Sequence, residues 1–149
     1  MDIMPLRRQC GTGGMRMAET SGAGSTEGLD RVLADLRALS GDIESCGVLS
    51  KDGGLLASSH GEGVDRERAA AMVAALANLA ERVARENGKE HASQVRVKAE
   101  GGHVLLVRLD AGGTLAATAG PDARVGLALY DMRNARGEVE KALEGGREA

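Results

Sequence analysis

The chain contains no phenylalanine, no tryptophan and a single tyrosine among its 149 residues. Its core must therefore be filled by Leu, Val, Ala and Met, and it offers no aromatic platform on which bases or sugars could stack. Cysteine is almost as scarce. Cys10 lies in a glycine-rich leader and Cys46 in an expected strand, too little for a disulfide framework and in keeping with a reducing cytosol. Positive charge is in deficit, with 19 Lys and Arg against 22 Asp and Glu. A net charge of −3 speaks against a nucleic-acid partner, which favours a basic surface. No apolar run approaches the roughly 20 residues of a membrane helix, so direct membrane insertion is not expected. Arg7 and Arg8 are followed by polar residues rather than an apolar stretch, which argues against a secretory signal. A cytoplasmic protein is expected.

What remains is ordinary globular material, 42% hydrophobic and 28% charged, of a length suited to one core. Residues 1–25, rich in Gly, Ser and Thr, read as a disordered tail, with Met4, Met15 and Met17 as alternative starts. Residues 26–144 form the expected domain, and 145–149 a flexible end. Ser25 or Thr26 can cap a helix carrying Leu29, Val32, Leu33, Leu36 and Leu39, which Gly41 ends. Ile43 to Ser50 and Leu55 to Ser59 flank the turn sequence Lys51-Asp52-Gly53-Gly54 and predict a hairpin. Asp65 caps a long helix to Asn87, terminated by Gly88. Gln94 to Lys98, His103 to Asp110 and Thr114 to Ala119, separated by glycine pairs, predict a three-stranded meander. Pro121-Asp122 opens a last helix. The expected fold is α+β, in the order helix-strand-strand-helix-strand-strand-strand-helix, with a five-stranded antiparallel sheet and helices on both faces.

The second helix carries two apolar strips. Met72, Leu76, Leu79 and Val83 share one side, expected to lie on the sheet, with Ala69 and Ala80 beside them. About 110° further round lie Ala70, Val73, Ala77 and Ala84, a strip of small residues. The remaining side carries Arg68, Ala71, Ala75, Asn78, Arg82 and Arg85. Alanines form helices well and tolerate exposure, which is one account of the second strip. The other is a two-fold contact in which this helix packs beside its copy. The alternating segment Val95-Arg96-Val97 could likewise pair with its own mate at a sheet edge, removing an edge liability.

Catalytic patterns are weak. Gly11 to Gly14 lacks both the lysine and the preceding strand of a phosphate loop, and no Gly-x-Ser-x-Gly elbow occurs. His60, His91 and His103 lack metal-ligand spacing, although His91 and His103 could approach across the meander. Cys46 reads as a buried strand thiol behaving as a small hydrophobe. Asp52, Asp110 and Asp131 suit turns and solvated faces better than acid–base pairing. No catalytic residue, metal or cofactor is assigned.

Taken together, the element order and local sequences resemble the roadblock / dynein-light-chain family. The matching stretches are the helix from Leu29 to Leu39, "GVLSKDGGLLASS" from Gly47, the alanine-rich helix, "QVRVKAEGGHVLLVRLDAGGTLAATA" from Gln94, and "VGLALYDMRNARGEVEKAL" from Val125. They span about residues 27 to 143, and it is their order and spacing together, not one motif, that is specific. The resemblance implies a non-catalytic homodimer with sheets joined edge to edge and second helices side by side. Ala70, Val73, Ala77, Ala84, Val95, Arg96 and Val97 would form its interface. Similarity to the Mgl-type bacterial branch implies a Ras-like small GTPase as partner, and in some members a sensor kinase. Arg68, Ala71, Ala75, Asn78, Arg82 and Arg85 would then be the centre of the docking face. The family has no dependable inserted arginine, so neither Arg68 nor Arg82 is assigned as a finger. The alternatives are a small-molecule sensor, a general scaffold domain without a GTPase partner, or an enzyme centred on Cys46 or His103.

Overall fold

The computed structural model describes residues 17–59 and 66–148. The element order is α1 (Met17–Leu39), β1 (Ile43–Leu49), β2 (Leu55–Ser59), α2 (Arg66–Glu86), β3 (Gln94–Ala99), β4 (Gly102–Arg108), β5 (Thr114–Ala119) and α3 (Val125–Glu148). The expected class and order hold. All neighbouring strands are antiparallel, and the sheet order is β2-β1-β5-β4-β3. β3 therefore ends the sheet, paired on one side only.

Two boundaries differ from expectation. α1 begins at Met17, upstream of the cap expected at Ser25 or Thr26, and α3 continues through Gly145 to Glu148. Once a helix is nucleated, each further residue adds a backbone hydrogen bond, so weak formers can be carried along. Cys10, His60 and the expected cap Asp65 lie outside the described residues.

The main core sits between α1, α3 and one face of the sheet. Leu29, Leu33 and Leu36 repeat at helical spacing along α1 and are buried, as are Val125, Ala128, Leu129, Met132 and Val139 on α3. They meet Cys46, Val48, Ala57, Leu105, Val107, Leu115 and Ala117 from the strands. Each leucine so buried contributes roughly 1.5–3 kcal/mol of transfer free energy. The two helices approach closely because Gly28 faces Ala142, where an added Cβ would meet the alanine methyl at 3.4 Å. Asp42 closes the start of α3, accepting from the backbone N–H and the guanidinium of Arg124 at 3.1 and 2.9 Å.

The opposite face of the sheet belongs to α2. Directly opposed residues in an antiparallel ladder share a face. The register therefore puts Ser45, Gly47, Leu49, Val104, Leu106, Ala116, Thr118, Val95 and Val97 together on this side. These are mostly small or β-branched, and α2 covers only part of them.

Candidate interaction site on the second helix

The rotation of α2 is the reverse of that expected. Ala70 is its one buried residue, and Val73, Ala77 and Ala84 are half-buried towards the chain's own sheet. Met72, Leu79 and Val83 are 67%, 55% and 54% exposed, and only Leu76 of that strip is half-buried. Hydrophobic size alone placed the larger strip inward. The inward alanine side also carries a hydrogen-bonding anchor.

That anchor is Glu81. On the helical projection it falls about 20° from Ala70, at the edge of the alanine strip. Its carboxylate accepts from the Ala92 backbone N–H at 2.8 Å and lies 3.0 Å from His91 Nδ1. Arg108 of β4 approaches at 3.5 Å and Arg85 at 3.6 Å. His91 and Ala92 lie in the loop entering β3 and Arg108 on the sheet face beneath α2, so these contacts hold the alanine side inward. An acid placed beside an alanine strip was the available signal for this residue, and polarity alone would have assigned it to solvent.

The bond to His91 first, then the Ala92 N–H and the charge of Arg108, hold the Glu81 carboxyl below the usual carboxylate range. A group whose folded pKa is depressed stabilises the fold above its unfolded pKa, and that contribution is lost as pH falls through the folded value. Glu81→Gln should therefore lower the melting temperature at neutral pH, and the gap to the wild type should narrow as pH falls and the wild-type carboxyl takes up its proton. Melting curves that stay parallel from pH 7 to pH 3 would remove Glu81 from this role.

The third side of α2 is as expected: Arg68, Ala71, Ala75, Asn78, Arg82 and Arg85 are all exposed. At the sheet edge, Val95 is half-buried and Val97 37% exposed on the α2 face, whereas Arg96 occupies the other face of the strand. The open apolar flank of α2 and this unpaired edge thus belong to one side of the molecule. Beneath the N-terminal half of α2 a cleft of about 320 Å³ remains, lined by Ala70, Val73, Gly47, Val104 and the hydroxyls of Ser45 and Thr118. Those two hydroxyls are hydrogen-bonded at 2.6 Å.

The residues considered for chemistry stay dispersed. Cys46 is buried with its thiol 3.7 Å from the Leu33 carbonyl, and burial pushes its pKa up to about 11, so it stays protonated at neutral pH. His91 precedes Gln94, whereas His103 pairs with Lys98, so the two histidines stand at opposite ends of the β3–β4 ladder. The possible approach across the meander does not occur. Among the described residues, no three His, Cys, Asp or Glu side chains gather as a metal set, and no helix is long and apolar enough to cross a membrane.

The sequence profile of the Roadblock/LC7 domain matches residues 29–119, more than half of the chain. The chain belongs to the Roadblock/LC7 family. An uncharacterized protein of Methanocaldococcus jannaschii is 34% identical over 113 residues, covering 75% of this chain and 96% of that one. The solved Roadblock/LC7 domain from Streptomyces avermitilis superposes with a TM-score of 0.71 at 22% identity, over 77% of this chain and 97% of its own. The gliding protein MglB from Thermus thermophilus gives 0.72 at 16% identity, over 84% and 93%. At such identities the two structures speak for the shared fold. Among the described residues of this Roadblock/LC7 domain, Met72, Leu79 and Val83 of α2 form an apolar flank that the chain's own sheet does not cover.

Proposed function

We propose that this Roadblock/LC7 domain is a non-catalytic cytoplasmic adaptor that pairs with a second copy of itself and binds a Ras-like small GTPase. One observation carries the reading. α2 has a wider apolar surface than its own sheet covers, and the uncovered flank of Met72, Leu79 and Val83 adjoins a wholly exposed side bearing arginines. Exposed apolar strips of this kind mark interaction surfaces. The flank supplies the contact between copies, together with the free edge of β3. Relative to the set expected from sequence, Met72, Leu79 and Val83 take the place of Ala70, Val73, Ala77 and Ala84, which face the sheet. No feature of the surface speaks for a sensor kinase.

The side with Arg68, Ala71, Ala75, Asn78, Arg82 and Arg85 is then presented by both copies as one platform. Small side chains between arginines let another backbone approach while the guanidinium groups reach acidic residues or carbonyls. Such a platform acts by favouring one conformation of the GTPase switch segments, a population shift with no chemistry of its own. Arg82→Glu should weaken capture of a Ras-like GTPase encoded beside this gene by about 10-fold without changing the oligomeric state. Equal capture by both proteins in a pull-down titration would take Arg82 off the platform.

The cleft beneath α2 favours a second reading, a small-molecule sensor. Its volume and its hydroxyl pair suit a small apolar ligand bearing one polar group. A metabolite that raises the melting temperature of the native chain but not of Val73→Trp would support it over the adaptor.

A further inference from the structure

The sheet face packed on α1 and α3 carries a second surface, on the side of β3 away from α2. The edge strand β3 directs Gln94, Arg96 and Lys98 to this side, because their partners across the ladder are Val107, Leu105 and His103. Leu105 and Val107 belong to the core beneath the helices, which fixes the face. α3 meets this flank where Arg133 Nη1 donates to the Gln94 side-chain oxygen at 3.0 Å. Arg136, three residues on, lies on the same flank of the helix. This flank thus carries Arg96 and Lys98 from the strand and, towards the Gln94 end, Arg133 and Arg136 from the helix.

Four cations on one flank are unexpected in a chain of net charge −3. On the other face Glu81 serves Arg85, His91 and Arg108. Among the described residues Arg96, Lys98 and Arg136 form no ion pair, and the one hydrogen bond of Arg133 is to a neutral amide. Of the acids near this flank, Glu140 is engaged by the Ala111 backbone N–H, and Glu100 stands in the turn beyond Lys98. Like charges so gathered repel, and an anionic partner relieves that repulsion.

We propose that the cationic flank of β3 and α3 binds an acidic, extended segment of another protein. Arg96 and Lys98 are two residues apart on a strand, about 6.6 Å, which is the spacing of alternate side chains on an extended peptide. Acidic residues at every second position can thus face both cations while the segment lies along β3 towards Arg133. A short acidic segment also presents few charges to the rest of this acidic protein, whereas a long polyanion meets repulsion from it. The surface is on the opposite side of the sheet from α2, so the proposal stands or falls independently of the GTPase.

Fluorescence anisotropy with a labelled peptide of alternating glutamate and alanine, titrated with the whole chain at physiological salt, tests it. Saturable binding is expected, weakened at least ~10-fold by Arg96→Glu with Lys98→Glu, and retained by Arg96→Lys with Lys98→Arg. Arg133→Glu, on the helix and away from the sheet edge, should weaken it too, which separates loss of the site from disturbance of the strand. Arg31→Glu, on the exposed side of α1, should leave it unchanged. The proposal is overturned by absence of saturable binding at that salt or by indifference to the β3 and α3 charge reversals. Tighter capture of single-stranded oligothymidine, or of phosphatidylglycerol vesicles, than of the peptide would overturn it as well.

Discussion

Leu79→Arg is expected to leave a folded monomer in place of the proposed dimer. Leu79 is 55% exposed and sits between Met72 and Val83 on the open flank of α2, so the isolated subunit loses little by the change. In the dimer the same side chain is covered. Burial of one leucine contributes about 2 kcal/mol, and two-fold symmetry counts each substitution twice. The loss is then about 4 kcal/mol, a rise of roughly 10³-fold in the dissociation constant. Light scattering should report half the wild-type mass while circular dichroism stays unchanged. Ala77→Arg is expected to behave differently, because Ala77 faces the sheet and a guanidinium there damages the fold of the subunit itself. Retention of the wild-type mass by Leu79→Arg would count against the interface, and a wild type that is monomeric at high concentration would end the adaptor reading.

Gly102→Ala should be among the most destabilising single changes available. Gly102 opens β4 at φ 144°, a conformation that L side chains rarely adopt, and an added Cβ would run into the Ala119 carbonyl oxygen of β5. Neither strand can retreat easily, since His103↔Ala119 is the last rung joining the β3–β4 hairpin to the rest of the sheet at this end. Backbone strain and the clash together are expected to cost about 3 kcal/mol, a fall in melting temperature on the order of 10 °C. Gly101→Ala, one residue earlier, is the matched control. Nothing lies within 4 Å of its added Cβ, and the change should be close to neutral. Equal melting temperatures for the two variants would show that the close approach at Gly102 is not maintained in solution. Because this hairpin carries the edge strand, Gly102→Ala should also loosen any contact made through β3.

Much of the fold was legible in the chain because the relevant signals are local. Alternation in Gln94 to Lys98, the glycine-paired turns, and the leucine period of α1 each require knowledge of only a few neighbouring residues. The two helical ends were less legible, since elongation into weak helix formers depends on how firmly the rest of the helix is held. The candidate site was half legible. That α2 has surplus apolar surface follows from counting its residues, and that Arg68, Ala71, Ala75, Asn78, Arg82 and Arg85 are exposed follows from their polarity and spacing. Which apolar strip faces inward did not follow, because that depends on Glu81 finding Ala92, His91 and Arg108, partners brought from other elements.

The sequence by itself determined the element order, the family, the absence of recognisable catalytic or metal-binding patterns, and the presence of two apolar strips on one helix. Tertiary structure alone decided which side of that helix is open and that four cations share the flank of β3 and α3. The physical reason is the same in both cases. Periodicity along a helix or strand fixes which residues share a face, but a face is buried, paired or left open only by the groups that packing brings to it from elsewhere in the chain.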